Sequence, residues 1–254
     1  MLAVKSPDTV RTLQERAARA QPAEHVVDAD GWLLRLAPHC SWWVGAVLPH
    51  GNTAPDDVKR RVVETEAFYG AHGATPRFQM TPPVCSEGLD TVLETRGYRR
   101  HGSLLLQVAS TARVMERART LTVRLDERPS QAWFATWQAV NGASQAEWDM
   151  LGRIDLPSAY ASAMVGDDVV AIGRAVADTG WGGVFSMATL PSARGKGAAR
   201  NVLAALADWS AANGAEHMYL QVESDNTPAV RLYGRAGFTG ICAYHYRTAA
   251  ERAR

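Results

Sequence analysis

The stretch Met187-Ala-Thr-Leu-Pro-Ser-Ala-Arg194-Gly-Lys-Gly-Ala-Ala199-Arg200 carries the residue pattern best suited to chemistry. Pro191 stops a preceding strand, and Gly195 and Gly197 permit backbone conformations that a side chain would strain. Ala198 and Ala199 leave the start of the following helix bare. A helix begun in this way points several N–H groups outward with the positive end of its dipole. Arg194 and Lys196 add charge at the same place. The chemistry predicted is the holding of a phosphate or diphosphate. Two other phosphate loops are disfavoured by the residues themselves. The magnesium-nucleotide loop needs a hydroxyl directly after Gly-Lys, where Gly197 stands. The dinucleotide fingerprint needs a glycine where Arg200 stands, and the strands before the loop read as antiparallel.

Downstream, Tyr219-Leu-Gln-Val-Glu-Ser-Asp-Asn226-Thr-Pro-Ala-Val-Arg-Leu-Tyr233-Gly-Arg-Ala-Gly237-Phe238 gives a strand, a short helix and a Gly-Phe close. Together with the loop, read as Arg194-x-x-Gly197-x-Ala199, this resembles the GNAT superfamily of acetyl-CoA-dependent N-acetyltransferases. The family's R/Q-x-x-G-x-G/A loop, its N-x-x-A-x-x-L-Y helix and its G-F close occur in the family's order and spacing, across about Leu121 to Arg247. The resemblance implies acetyl-CoA as co-substrate, no metal, and passage of an acetyl group to an amine by direct attack. It implies that Met187, Ala188 and Thr189 line the pantetheine arm between two splayed parallel strands. A strand N–H there would polarise the thioester carbonyl. By the same resemblance Arg194, Gly195, Lys196, Gly197, Ala198 and Ala199 wrap the diphosphate.

The resemblance also places the Tyr233 hydroxyl beside the sulfur of CoA. A phenol with a pKa of ~10 stays protonated at neutral pH and can protonate the departing thiolate. The alternative is a tyrosine that packs its helix onto the sheet, a job for which Leu232 is better suited. Asn226 falls where family members hydrogen-bond the cofactor, and it also suits a cap for the helix that Pro228 opens. The general base is the open role. The strand Gly182–Met187 has no carboxylate, and Gln221, at a position that is Glu in some relatives, cannot accept a proton. Glu223 shares the face of Gln221 and would act through water, or else stands as a solvated rim carboxylate. A water chain or an amine of low pKa needs no base from the protein. The tail Tyr244-His-Tyr-Arg247 is a further candidate wall for the acceptor, with no role assigned to His245.

Periodicity and punctuation supply the elements that must position these residues. A charged helix is expected at Asp8–Ala20, strands at Gly31–Ala37 and Ser41–Leu48, a helix from Pro55 to Tyr69, a strand at Arg77–Thr81, a helix at Gly88–Thr95 and a strand at Ser103–Ala109. Ser110–Thr120 is polar and basic and reads as a linker. A second run follows in the order β-α-α-β-β-β-α-β-α-β, ending in a strand at Ile241–Arg247. With the resemblance, the fold class expected is α/β (α+β): tandem GNAT-like domains, each a mixed, mostly antiparallel central sheet flanked by helices. By the resemblance, residues 1–111 are expected to form the degenerate domain and 112–254 the catalytic one. In the first domain the matching junction, Leu48–Asp57, has one glycine, no basic pair and two aspartates, Asp56 and Asp57, at the helix start. Acid there repels a diphosphate.

Composition bounds the partners. The net charge of +1 supplies no field for nucleic acid or anionic lipid. Cys40, Cys85 and Cys242 form no C-x-x-C pair, so neither a disulfide framework nor a zinc knuckle is expected. No stretch approaches the ~20 apolar residues of a membrane span, and the first residues lack the apolar core of a secretory signal. The expectation is a cytoplasmic monomer or homodimer acting on a small-molecule or peptide amine. An acyl-CoA-binding sensor without turnover is the alternative, and a nucleotide-binding regulator a third reading.

Overall fold

The computed structural model describes residues 6–51, 53–115 and 121–250. The elements in chain order are α1 (Pro7–Arg19), β1 (His25–Ala29), β2 (Trp32–Leu36), β3 (Leu48–Pro49), α2 (Pro55–Ala71), β4 (Arg77–Met80), α3 (Leu89–Thr95) and β5 (Arg99–Ser110). They continue with α4 (Thr111–Met115), β6 (Val123–Asp126), α5 (Gln131–Asn141), α6 (Gln145–Gly152), β7 (Ser158–Val165), β8 (Asp168–Asp178) and β9 (Trp181–Thr189). After a single 3₁₀ turn come α7 (Ala198–Ala212), β10 (His217–Glu223), α8 (Thr227–Ala236) and β11 (Thr239–Thr248). From β6 onward the order is the one the sequence predicts. Two compact units result. The C-terminal unit comprises Leu106–Val222 and Asn226–Gly240; the N-terminal unit takes the chain up to Leu105, Glu223–Asp225 and the end from Ile241.

In the N-terminal unit, β1 and β2 form an antiparallel hairpin around Asp30 and Gly31, both at positive φ, as a two-residue turn between twisted strands requires. The core gathers Trp32, Leu34, Leu36, Val58, Val62, Tyr69, Phe78, Leu89 and Leu93. Two local expectations fail here. β1 escapes detection because four of its five residues are exposed, so it shows no apolar-polar alternation. The predicted strand Ser41–Leu48 is mostly turn. Its tryptophans serve packing instead, with Trp42 edge-on to His101 and Tyr246 at 4.7 and 4.6 Å.

The tail residues proposed as an acceptor wall are committed inside this same unit. Tyr244 and Tyr246 are buried, and β11 pairs antiparallel with β4. Arg247 donates to both oxygens of Asp90, Nε to Oδ1 at 2.9 Å and Nη2 to Oδ2 at 2.8 Å, and His245 Nε2 lies 2.8 Å from Oδ1. The Arg247 hydrogen bonds, with help from His245, hold the Asp90 carboxyl down at about 2. A depressed carboxyl stabilises the fold above its ordinary pKa and loses that contribution as pH falls through the folded value. Asp90 is 43% exposed, so solvent screening reduces the effect. Asp90→Asn is expected to lower stability at pH 7 by about 1 kcal/mol. In urea unfolding series the difference from the unsubstituted protein narrows as pH falls from 4 toward about 2.

The C-terminal unit is built on a sheet with strand order β10-β9-β8-β7-β6, antiparallel throughout except for the parallel β9–β10 pair. Helices cover both faces. On one, Val202 and Leu206 of α7 approach the bare backbone of Gly173 in β8. On the other, Trp133 of α5 meets Tyr160 of β7 edge-on at 5.2 Å. The stretch read as a linker is in part structural. Thr111 donates Oγ1 to the Ala215 carbonyl at 2.7 Å, and Thr111 and Val114 are buried, so α4 docks despite its polar sequence. The rest of that stretch, residues 116–120, lies outside the described residues.

A candidate acyl-CoA cleft in the C-terminal unit

The site begins with an irregularity in β9. Arg174 of β8 faces Phe185, and Ile172 faces Ala188, so Ser186 and Met187 together stand against Gly173. This is a β-bulge, and Ser186 takes a φ of 52°, unusual for a residue with a side chain. The bulge bends the strand and re-aims the peptide groups that follow. Gly173 makes room for it: a Cβ there would stand 2.4 Å from Met187 Sδ. On the opposite face the fully buried Arg174 guanidinium lies 4.8 Å over the Phe185 ring.

On its other edge β9 pairs with β10 only from Trp181–His217 to Val184–Leu220. Beyond that ladder Phe185–Thr189 and Gln221–Glu223 continue as strands without pairing to each other. The two central parallel strands therefore splay, and the gap opens directly beside the bulge. Backbone groups along this edge of β9 are available to an extended ligand.

β9 hands over to the basic loop. The Leu190 amide still bonds to the Val170 carbonyl at 2.9 Å, after which Pro191–Ala193 makes the 3₁₀ turn. Gly195 and Gly197 both lie in the left-handed region, at φ 75° and 84°. Gly197 is the N-cap of α7 and provides no side-chain cap, so the first turn of a fifteen-residue helix faces the cleft without one. Asn201 anchors the turn from behind. Its amide group donates to the Gly197 carbonyl at 2.8 Å, and its oxygen accepts from the Leu121 amide at 3.1 Å. Arg194 Nε reaches back to the Thr189 carbonyl at 3.3 Å.

The opposite wall is α8. Asn226 caps it, accepting from the Ala229 amide at 3.2 Å, which leaves the NH₂ of the side chain as a donor. Gly237 ends the helix at φ 102°, and the Phe238 amide closes onto the Tyr233 carbonyl. Gly237 also admits Arg113, whose Cδ would lie 2.6 Å from a Cβ at that position. The Gly-Phe close thus fixes the helix whose inner face carries Tyr233. That ring is 7% exposed and meets Phe238 edge-on at 5.9 Å. Burial alone pushes its hydroxyl up to about 12, so the phenol is neutral at physiological pH.

A cavity of about 1320 Å³ runs between these walls. Met187, Ala188, Thr189, Arg194, Gly195, Lys196, Gly197, Ala198, Ala199, Asn226 and Tyr233 all line it. Glu223 does not: it is an exposed residue at the end of β10. Arg200, Arg231 and Arg235 line the cleft and were not singled out from the sequence. The signal available was their spacing, Arg200 in the first turn of α7 and the other two four residues apart on α8. No carboxylate lines the cavity. Among the described residues no cluster of His, Cys, Asp or Glu could hold a metal, and no helix is long and apolar enough to cross a membrane.

Comparison with known proteins agrees with this architecture. The family described as "Probable histone acetyltransferase Rv0428c C-terminal" matches residues 8–248. The "Uncharacterized N-acetyltransferase YobR" of Bacillus subtilis is 27% identical over 252 residues, covering 94% of this chain and 98% of its own. A GCN5-related N-acetyltransferase from Kribbella flavida superposes with a TM-score of 0.74 at 16% identity, over 96% of this chain and 95% of that one. A tandem GNAT protein from the clavulanic acid biosynthesis pathway superposes with a TM-score of 0.67 at 11% identity, over 99% and 91% of the two chains. At such identities the two structures speak for the fold alone.

Proposed function

The chain belongs to the Rv0428c C-terminal acetyltransferase family of the GNAT superfamily, and from that membership we propose that it transfers acetyl from acetyl-CoA to an amine. The observation that carries this reading is the coincidence of three features in one cleft. They are the splay of β9 from β10, the uncapped N-terminus of α7 and the buried phenol of Tyr233. The amides at Gly195–Ala199, with Arg194 and Lys196, hold the diphosphate. The unpaired edge of β9 at Met187–Thr189 takes the amides of the pantetheine arm. The Asn226 NH₂ reaches the same arm while its oxygen caps α8.

In the transfer the amine nitrogen attacks the thioester carbonyl carbon. An amide N–H at the bulge of β9 stabilises the charge that develops on the carbonyl oxygen. The C–N bond forms, the C–S bond breaks, and Tyr233 gives its proton to the departing sulfur. The amine releases a proton to water, from which Tyr233 recovers its own. No carboxylate lines the cleft, so the preferred acceptor arrives as the free amine, which favours amines of low pKa. In the N-terminal unit, Gly51, ahead of α2, packs so tightly on the turn at Asp30 that a Cβ there would stand 2.6 Å from the Asp30 carbonyl oxygen. Asp56 and Asp57 occupy the first turn of α2. That unit therefore serves without a CoA site.

The test is release of free thiol from acetyl-CoA, measured with purified protein against a panel of small-molecule and peptide amines. At least one amine is expected to raise thiol release well above hydrolysis. The absence of carboxylates from the cleft gives the sensor reading its one specific support. Tight binding of CoA with no amine-stimulated thiol release would favour that reading over transfer.

A further inference from the structure

Two buried side chains that the transfer chemistry leaves unused converge on the bulge of β9. A bulge disrupts the ladder where it sits. The carbonyl opposite it, that of Gly173, takes a hydrogen bond from outside the sheet: Trp133 Nε1 of α5 donates to it at 3.2 Å. The indole is well anchored for this. Ser130 caps α5 by accepting from the Trp133 amide at 3.1 Å, and the fully buried ring stands edge-on to Tyr160.

The second side chain is Arg174, fully buried on the strand that faces the bulge. Its cross-strand partner is Phe185, which lies between the end of the β9–β10 ladder at Val184 and the left-handed Ser186. The Arg174 guanidinium lies 4.8 Å over the Phe185 ring, and Tyr219 meets that ring edge-on at 6.0 Å. Gly183 makes room for both rings: a Cβ there would stand 2.6 Å from Phe185 Cε2 and 2.7 Å from the Tyr219 hydroxyl. Burial lowers the guanidinium to about 10, so at neutral pH it remains a cation. A buried cation is a poor source of stability, since an apolar side chain of like volume often does as well or better. A planar cation over a ring supplies one fixed arrangement instead. The indole N–H acts in the same sense, because phenylalanine would fill most of its space without selecting a register.

Resting on the reading that the cleft takes acetyl-CoA, we propose that Trp133 and Arg174 are positioning residues for the transfer. Through the Gly173 carbonyl and the Phe185 ring they hold the bulge in the register that aims an amide N–H of β9 at the thioester carbonyl. Neither lines the cleft. Without them the extra residue of β9 slips along the strand and the N–H turns away, while the contacts to diphosphate and pantetheine persist.

The test reads the carbonyl itself. Acetyl-CoA labelled with ¹³C at the carbonyl is bound to the full chain with no amine present. Its resonance is followed by NMR in the unsubstituted protein, in Trp133→Phe and in Arg174→Lys, with affinity measured by calorimetry. In the unsubstituted protein the N–H polarises the carbonyl and moves its resonance downfield of free acetyl-CoA. Both variants should bind within about twofold of the unsubstituted protein and lose most of that shift. A merely structural role would lower stability and leave the bound resonance in place, so a full shift in a folded variant overturns the proposal for that residue. Should one substitution prevent folding, the other decides. Acetyl-CoA bound to the unsubstituted protein with its carbonyl at the free position also overturns the proposal and leaves the CoA assignment standing. No binding by the folded protein overturns that assignment, and the proposal with it.

Discussion

A glutamate introduced by Ala199→Glu should abolish CoA binding and leave the protein as stable as before, or slightly more so. Ala199 is the second residue of α7 and only partly buried, so the longer side chain has somewhere to go. A carboxylate in the first turn of a helix is favoured by the dipole, worth about 0.3–1 kcal/mol. That same carboxylate accepts hydrogen bonds from the amides that the diphosphate would use, and it repels the diphosphate besides. CoA affinity is expected to fall by on the order of 100-fold or more. The value of the variant lies in its opposite signs: thermal unfolding and CoA calorimetry move in different directions. A simple folding defect would move both the same way. Retained CoA affinity in this variant would mean that the α7 amides do not hold the ligand.

The second large effect is expected for Tyr233→Phe. The ring keeps its edge-on contact with Phe238, so packing and CoA affinity should hold within about twofold, whereas turnover should fall ~100-fold with loss of the acid. Burial raises the hydroxyl to about 12, from which two pH statements follow. Its ionisation imposes no alkaline limb on the rate between pH 7 and about 10. The unfolded phenol titrates near ~10. The stability gained from keeping the folded phenol neutral is therefore complete below about 10 and is lost as pH rises through about 12. Wild-type turnover by Tyr233→Phe would remove this residue from the chemistry.

The loop and the helices around it were legible because their chemistry is local. Gly195 and Gly197 sit at positive φ, and Ala198 and Ala199 open an uncapped helix, all of which composition at fixed spacing announces. The hairpin of β7 and β8, closing at Val165–Asp168 around Gly166, was legible for the same reason. What depends on register was not. The end of the β9–β10 ladder at Val184 and Leu220 leaves no mark in composition, and the bulge at Ser186 uses a residue type that gives no warning of a φ of 52°. Exposure defeated the period-2 rule at β1, and aromatic content mimicked a strand at Trp42 and Trp43, whose rings pack edge-on instead. Arg231 and Arg235 went unnoticed because an arginine pair on a short helix usually means only a solvated face.

The central claim is that the backbone amides from Gly195 to Ala199 receive the diphosphate of CoA. Hydrogen exchange at those amides, followed in the folded protein with and without saturating CoA, tests it most directly. The account predicts marked slowing of exchange across these residues when CoA is bound, with little change at the α2 N-terminus. CoA bound by calorimetry while these amides exchange at their unliganded rate would contradict it.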